Sequence, residues 1–193
     1  SELLATVQDL DSGSEFGAFT ASSANESIFT ATASNSASAG FHNITVNSLA
    51  SAQKDISQGF DGLEDQIGVG AIGIVINGES TDIVIDSENN TLDGLKNAIN
   101  NSGVAVQASI IYDGNETGGY HLVLTASETG TDNAFVVLPN LSGGTAPVFS
   151  TIETASNAEV IIDTVTVSSQ TNSVTDALTG ISLDLHSIDP GQS

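Results

Sequence analysis

Three histidines are the side chains in this sequence with the widest range of possible chemistry. They are His42, His121 and His186, and no two of them stand at the H-x-x-x-H spacing that places two metal ligands on one helical face. The chain has no cysteine, so thiolate metal sites and disulfides are excluded. We therefore interpret the histidines as strand-packing or solvent-facing residues and predict no zinc site.

Two turns are rich in the oxygen ligands that calcium prefers. Their side chains are Asp86, Glu88 and Asn90 in the first turn, and Glu128, Asp132 and Asn133 in the second. In the first turn, Thr91 stands where an EF-hand loop needs glycine, and Asn97 where it needs glutamate. Asp and Asn are common in turns because they cap and accept left-handed backbone, so we predict neither a metal site nor a cofactor site.

Motifs for covalent or phosphate chemistry are missing. The sequence has no G-x-S-x-G nucleophile elbow, and the glycine-rich segment 68–73 lacks the lysine that follows a phosphate-binding loop. Without tryptophan, the chain offers little of the aromatic platform on which sugars stack. We predict that the protein is not an enzyme and has no catalytic residues. We interpret the N-x-S/T sequons at Asn25, Asn43 and Asn115 as accidents of composition.

The charge balance excludes several classes of partner. Two Lys+Arg residues, Lys54 and Lys96, stand against 24 Asp+Glu, which gives a formal net charge of −22. Binding to nucleic acid or to an anionic membrane surface requires cationic side chains, so neither is expected. No apolar run reaches the ~18 residues of a membrane-spanning helix. We attribute the acidity to a marine or salt-loving source; a urea midpoint that does not rise with NaCl would contradict this hypothesis.

The hydrophobic pattern predicts a β-rich chain with few helices. Alternating residues predict strands at 26–34 and 41–50, joined as a hairpin through NSASAG, and Asn77-Gly78 predicts a second hairpin over 71–86. Thr91 as N-cap and Gly103 as the terminating glycine bound the clearest helix. Segment 52–60 is interpreted as a transition between elements.

The second half of the pattern continues in strands. We predict strands at 104–113, 120–127 and 133–139, a loop at 139–147, and two or three final strands around a short helical turn at Val174–Leu178. At the start of the chain, the apolar spacing of Leu3, Leu4, Val7 and Leu10 predicts the end of a longer amphipathic helix.

Six blocks of residues occur in the order of one known family. They are ATAS (31–34), FHNITVNSLASAQKDISQGF (41–60), the hairpin, TLDGLKNAINNSGVAVQASIIYDG (91–114), YHLVLTASETGTDNAFVV (120–137) and NAEVIIDTVTVSSQTNSVTDALTGISLDL (157–185). Together they resemble the flagellar filament cap family, hook-associated protein 2. The segment GVAVQAS (103–109) after the helix is similar to the flagellin hook IN element.

The resemblance implies an α+β fold of two small antiparallel-sheet domains, each with a short helix and one inserted in the other. Residues 1–17 would be the end of a leg helix and linker, and 188–193 a tail. Residues 18–57 and 156–187 would form a discontinuous head domain, with residues 58–155 inserted as a second head domain. The family's terminal coiled-coil helices would lie outside this stretch.

The resemblance also implies a structural role. The expected function is the distal cap of a bacterial flagellar filament, which promotes flagellin polymerisation and prevents flagellin loss. Expected partners are flagellin, the hook-associated junction proteins and further copies of the chain, bound through terminal regions absent here, so that this stretch alone would be monomeric. The expected location is extracellular, at the filament tip, after export by the flagellar type III route.

Two alternatives stay open from the sequence. The chain would be an adhesin head that binds mucin or another host receptor, which an exposed aromatic or apolar patch without a symmetry mate would favour. Otherwise it would be a flagellin-type filament subunit that carries the same IN element.

Overall fold

An Asn-Gly turn forms the hairpin that the sequence predicts, in a computed structural model that describes residues 19–189. It joins β4 (Val69–Ile76) to β5 (Glu79–Ile85). Asn77 and Gly78 have φ of 50° and 81°, the left-handed pair that a two-residue turn needs to match the twist of its strands. The prediction at this hairpin is confirmed.

The helix α1 (Leu92–Asn101) also follows its sequence signals. The Thr91 hydroxyl accepts a hydrogen bond of 3.0 Å from the Gly94 backbone N–H, as an N-cap does. Gly103 has φ of 79°, which glycine adopts without steric cost just after a helix. The side chains of Leu92, Leu95 and Ile99 are buried and bind the helix to its sheets.

The contacts of the chain divide it into two units. The flanking unit comprises residues 19–49 and 158–189 of the described chain, and the inserted unit comprises residues 50–157. The sequence-based boundary at 57/58 differs from this division. The reason is that β3 (Lys54–Ser57) pairs with strands of the inserted unit on both of its sides.

The inserted unit consists of two antiparallel sheets and α1. Its remaining strands are β6 (Val106–Tyr112), β7 (Tyr120–Ala126), β8 (Phe135–Ser142) and β9 (Phe149–Glu153), with a 3₁₀ turn at Thr131–Asn133. One sheet has the order β6-β7-β3-β9 and the other the order β5-β4-β8. Helix α1 packs against β6 and β5, and one continuous apolar core joins the helix to both sheets.

The flanking unit consists of two three-stranded antiparallel sheets. Its strands are β1 (Phe29–Ala33), β2 (Ile44–Ser48), β10 (Ala158–Ile162), β11 (Val165–Ser169), β12 (Ser173–Leu178) and β13 (Ile181–Leu185). The orders are β1-β13-β12 and β11-β10-β2. Each sheet therefore combines strands from both ends of the described chain.

The β-rich architecture of antiparallel sheets is confirmed, but four local predictions are wrong. Strands β1 and β2 form no hairpin, because each pairs with a strand of the C-terminal segment. Residues Val174–Leu178 lie in β12 and not in a helical turn, so α1 is the single α-helix of residues 19–189. The predicted transition contains β3, and the predicted loop at 139–147 begins with the end of β8. The predicted leg helix at 1–17 and the end of the tail lie outside the described residues.

Candidate functional site

The three histidines lie in three separate environments. His42 Nδ1 donates to Asp163 Oδ2 at 2.9 Å, and His121 Nε2 lies 3.4 Å from Asp113 Oδ2. His186 Nε2 shares a hydrogen bond of 3.3 Å with the hydroxyl of Thr30. His121 Nδ1 also lies 3.1 Å from the carbonyl oxygen of Ser57. The three histidines therefore have separate polar neighbours and are not assembled into one site.

Hydrogen bonds lower the pKa of the two carboxyl groups beside these histidines. For Asp163, the bond from His42 lowers the pKa most, followed by the backbone N–H of Asn43. For Asp113, the backbone N–H and side chain of Asn115 lower the pKa more than His121 does. Both carboxyl groups are exposed. The bonds to Asp163 join two segments that are distant along the chain, whereas the bonds from Asn115 to Asp113 stay within one turn.

The two oxygen-rich turns are organised by their own hydrogen bonds. Asp86 Oδ1 accepts from the backbone N–H of Glu88 at 2.8 Å, and Asn89 Oδ1 accepts from that of Asp86 at 2.8 Å. In the second turn, Asn133 Nδ2 donates to the Thr129 carbonyl at 2.7 Å. Within residues 19–189, no three side chains of the His, Asp and Glu types are grouped to hold a metal ion.

The glycine-rich segment 68–73 is explained by strand packing. A Cβ at Gly68 would lie 2.6 Å from the carbonyl oxygen of Ser142, and one at Gly70 would lie 2.2 Å from that of Asn140. Both glycines also have positive φ. The backbone of β8 lies so close to positions 68 and 70, at the start of β4, that only glycine fits at these two positions.

Both lysines are in ion pairs. Lys54 Nζ lies 2.6 Å from Glu153 Oε2, and Lys96 Nζ lies 2.6 Å from Asp93 Oδ1. The bond from Lys96 is the largest cause that lowers the pKa of Asp93. Because the sequence has no other Lys or Arg, its surface presents no unpaired cation of these two types.

An apolar surface is the feature that the sequence analysis missed. The sheet β5-β4-β8 carries an exposed outer valine face, defined by Val69, Val84, Val136 and Leu138, which are 42–67% exposed. Register places Val84 opposite Ala71, and Leu138 opposite Gly73, on the same side of the sheet. The available signal was the run Val136–Leu138, which is apolar on both faces of a strand. Such a patch is typical of a surface that contacts another protein.

In the described part of the chain, no helix has the length and apolar character needed to cross a bilayer.

Family models match both ends of the chain. The model described as the flagellar hook-associated protein 2 N-terminus matches residues 1–53, and the one described as its C-terminus matches residues 155–193. The two matches flank most of the inserted unit.

Curated relatives cover nearly the whole chain. The B-type flagellar hook-associated protein 2 of Pseudomonas aeruginosa PAO1 is 35% identical over 93% of this chain and 42% of its own length. The flagellar hook-associated protein 2 of Escherichia coli K12 is 31% identical over 81% of this chain and 36% of its own length. The chain therefore spans well under half of these relatives.

Solved structures share the fold. The D2-D3 domains of the Escherichia coli flagellar cap protein superpose with a TM-score of 0.76 at 30% identity, covering 85% of this chain and 90% of theirs. The D1-D2-D3 domains of the same protein give a TM-score of 0.81 at 28% identity, covering 93% of this chain and 55% of theirs.

Proposed function

The chain belongs to the flagellar hook-associated protein 2 family, and from this premise we propose that it forms head domains of the cap at the tip of a bacterial flagellar filament. The role is structural. The cap would hold exported flagellin at the growing end while it folds and inserts, and would prevent its loss. The single observation that carries the proposal is the match, in order and over 90% of its length, to the D2-D3 domains of a flagellar cap protein.

The surface of the inserted unit supports an assembling role. The outer valine face is exposed in a chain of net charge −22. A second acidic protein surface binds there only if the free energy gained by burying apolar side chains exceeds the cost of charge repulsion. At physiological ionic strength the Debye length is about 8 Å. Salt therefore screens most of the repulsion between charges that lie farther apart than this, and a close apolar contact is not prevented by them. We propose this face as a contact surface of the assembled cap.

The partners and location follow from the same proposal. Flagellin and the hook-associated junction proteins would be the partners in the filament, and further copies of the chain would complete the cap through segments outside residues 19–189. The protein would reach the filament tip, outside the cell, by the flagellar type III export route.

Immunogold electron microscopy of native flagella, with antibody raised against this chain, tests the proposal. Gold confined to filament tips is the expected result. Gold along the shaft would contradict it and would indicate a flagellin-type subunit. Gold that lies off the filament, together with binding of this protein to immobilised mucin, would indicate an adhesin.

A test of the outer valine face uses the full-length protein in a strain that lacks its own copy. Val84→Ser and Val136→Ser together should reduce motility and the yield of capped filaments, because they remove apolar area without adding charge. Thr166→Ser, a small change on β11 of the flanking unit, serves as the control. Normal motility of the double variant would remove this face from the proposal.

A further inference from the structure

A groove opens in the inserted unit where its helix leaves one sheet uncovered. Helix α1 packs on β6 and β5, and the inner face of the sheet beyond β7 continues over β3 and β9. The groove there has a volume of about 520 Å³, within the range of ligand sites in proteins. Its apolar walls come from β8 and from the segment leading into β9, with Phe135, Pro139, Pro147 and Phe149 among their residues.

The sheet changes from apolar to polar where the groove begins. Directly paired residues point to the same face, and one such row runs from Ala108 through Leu124 and Asp55 to Thr151. Ala108 and Leu124 belong to the apolar core, whereas Asp55 and Thr151 line the groove. The carboxyl group of Asp55 is thus placed on an inner face of the sheet.

Asp55 is a buried carboxylate with little neutralisation. The residue is 6% exposed, and its Oδ1 accepts a hydrogen bond of 3.0 Å from Gln53 Nε2. Among residues 19–189, no side chain donates to Oδ2, and no cation pairs with this carboxyl group. A carboxyl oxygen that lacks a protein donor at a largely buried position is less screened by solvent than one on an open surface, so it attracts a cation more strongly.

Two glutamines fix the walls of the groove. Gln53 Oε1 accepts from the backbone N–H of Phe135 at 3.0 Å, and Gln53 Nε2 donates to the carbonyl of the same residue at 2.9 Å. Gln58 makes the corresponding pair of bonds, to the Val148 N–H and the Ala146 carbonyl. The walls are therefore held in place before anything binds, which reduces the entropic cost of binding.

We propose that this groove binds an extended segment of another polypeptide, which places a lysine or arginine side chain against Asp55. The aliphatic stem of such a side chain suits the apolar walls, and its charged end suits the carboxylate. An extended backbone suits the rims, because β8 and β9 are the outermost strands of their sheets and each pairs on one side only within the described residues.

The cation comes from outside the 193 residues of this stretch. This chain has two cations of the Lys and Arg types, and both are in ion pairs of 2.6 Å, so a second copy of this stretch has none to offer without breaking one. Charge complementarity therefore favours a partner segment whose sequence differs from residues 1–193. The inference does not depend on the cap role, because it concerns a groove within the inserted unit.

Amide chemical shifts of the 193-residue protein, titrated with two capped peptides, test the proposal. The peptides are Val-Thr-Lys-Val-Thr and its counterpart with norleucine in place of lysine, which keeps the stem and removes the charge. We expect shifts around 135–139 and 146–151, and at least about tenfold tighter binding of the lysine peptide. Asp55→Asn should abolish that preference, whereas the exposed Asp82→Asn on β5 should retain it.

Each contrary result overturns the proposal. It is wrong if neither peptide shifts these amides at millimolar concentration, if both peptides bind equally, or if Asp55→Asn retains the preference for lysine. Should Asp55→Asn fail to fold, the comparison of the two peptides on the unaltered protein still decides.

Discussion

The inserted unit and the flanking unit bury their apolar side chains in different ways. In the inserted unit, one continuous core joins α1 to both sheets, and Leu92, Leu95 and Leu122 are fully buried. In the flanking unit, the buried residues are fewer and smaller, with Val46, Val160 and Leu183 among the most buried. Because apolar burial is the main stabilising term, the inserted unit should be the more stable of the two.

The closing contacts of both units join residues that lie far apart along the chain, and those of the flanking unit span the whole inserted unit. His42 and Asp163, for example, are 121 positions apart. In the inserted unit, Ser51 and Ser156 exchange backbone hydrogen bonds of 2.9 and 3.2 Å, so folding of this unit joins its two ends. Loop closure costs about 0.6 kcal/mol more for each doubling of loop length. When the inserted unit is folded, the loop that closes the flanking unit is effectively shorter. This lowers the free-energy cost of loop closure in the flanking unit by roughly 2–3 kcal/mol.

The largest expected effect tests this dependence of one unit on the other. Leu95→Ala removes a fully buried side chain from α1 and should lower the free energy of unfolding by about 3 kcal/mol. Hydrogen exchange should then increase in both units, because the flanking unit loses its closed loop. Leu183→Ala in β13 is the matched change and should increase exchange in the flanking unit alone. Unchanged protection of the flanking unit in Leu95→Ala would contradict the dependence.

A second expected effect comes from close backbone contact. A Cβ at Gly59 would lie 1.8 Å from the Gly118 carbonyl oxygen, so Gly59→Ala must displace backbone and should cost about 2 kcal/mol. Gly62→Ala is the control, since its nearest neighbour would be the Asp65 carboxylate at 3.6 Å. Urea unfolding followed by circular dichroism measures both variants. Equal urea midpoints for the two variants would show that the backbone at Gly118 moves aside without lowering the free energy of unfolding.

The cap of α1 gives a smaller effect in the inserted unit. Thr91→Ala leaves the Gly94 N–H without its acceptor and should cost about 1 kcal/mol. Thr91→Ser keeps the hydroxyl and should remain close to the unaltered protein. If Thr91→Ser lowers the free energy of unfolding as much as Thr91→Ala does, the threonine methyl group, and not the hydrogen bond, is responsible for the stabilisation. Urea midpoints of the three proteins decide.

Local signals were sufficient to predict the inserted unit in large part. The Asn77-Gly78 turn, the cap at Thr91 and the strands β6 and β7 depend on residues close together in sequence, and each lies where it was predicted. The helix was placed at 91–103 and is observed at Leu92–Asn101. Such elements are visible in the sequence because turn chemistry and periodicity act over a few residues.

Pairing between distant segments could not be predicted from the same signals. Strands β1 and β2 were placed well, yet their partners are β13 and β10, far away along the chain. The i, i+3, i+4 spacing of Val174, Ala177 and Leu178 suits a helical turn, and pairing with the neighbouring strand β13 decides the conformation of this segment instead. The groove at Asp55 was missed for the same reason, since its burial depends on strands β7 and β9 on either side.

The smallest expected effect compares a histidine–carboxylate pair in each unit. His42 is the main cause of the lowered pKa of Asp163, whereas the main cause at Asp113 is the backbone N–H of Asn115. His42→Ala should therefore raise the pKa of Asp163 towards its ordinary value, and His121→Ala should move that of Asp113 less. Carbon-detected NMR titration of the two carboxyl groups measures both changes.

The sign of the linked pH effect follows from the same pair. Because the folded pKa of Asp163 lies below that of an unfolded aspartate, about 3.9, its bonds stabilise the flanking unit fully above that pH. Their contribution is lost as the pH falls through the folded value, and His42→Ala should remove part of this acid sensitivity. The two residues join segments 121 positions apart, whereas His121 and Asp113 are 8 apart, so acid should open the flanking unit first. Hydrogen exchange that increases first in the inserted unit on acidification would reverse the order of stability assigned to the two units.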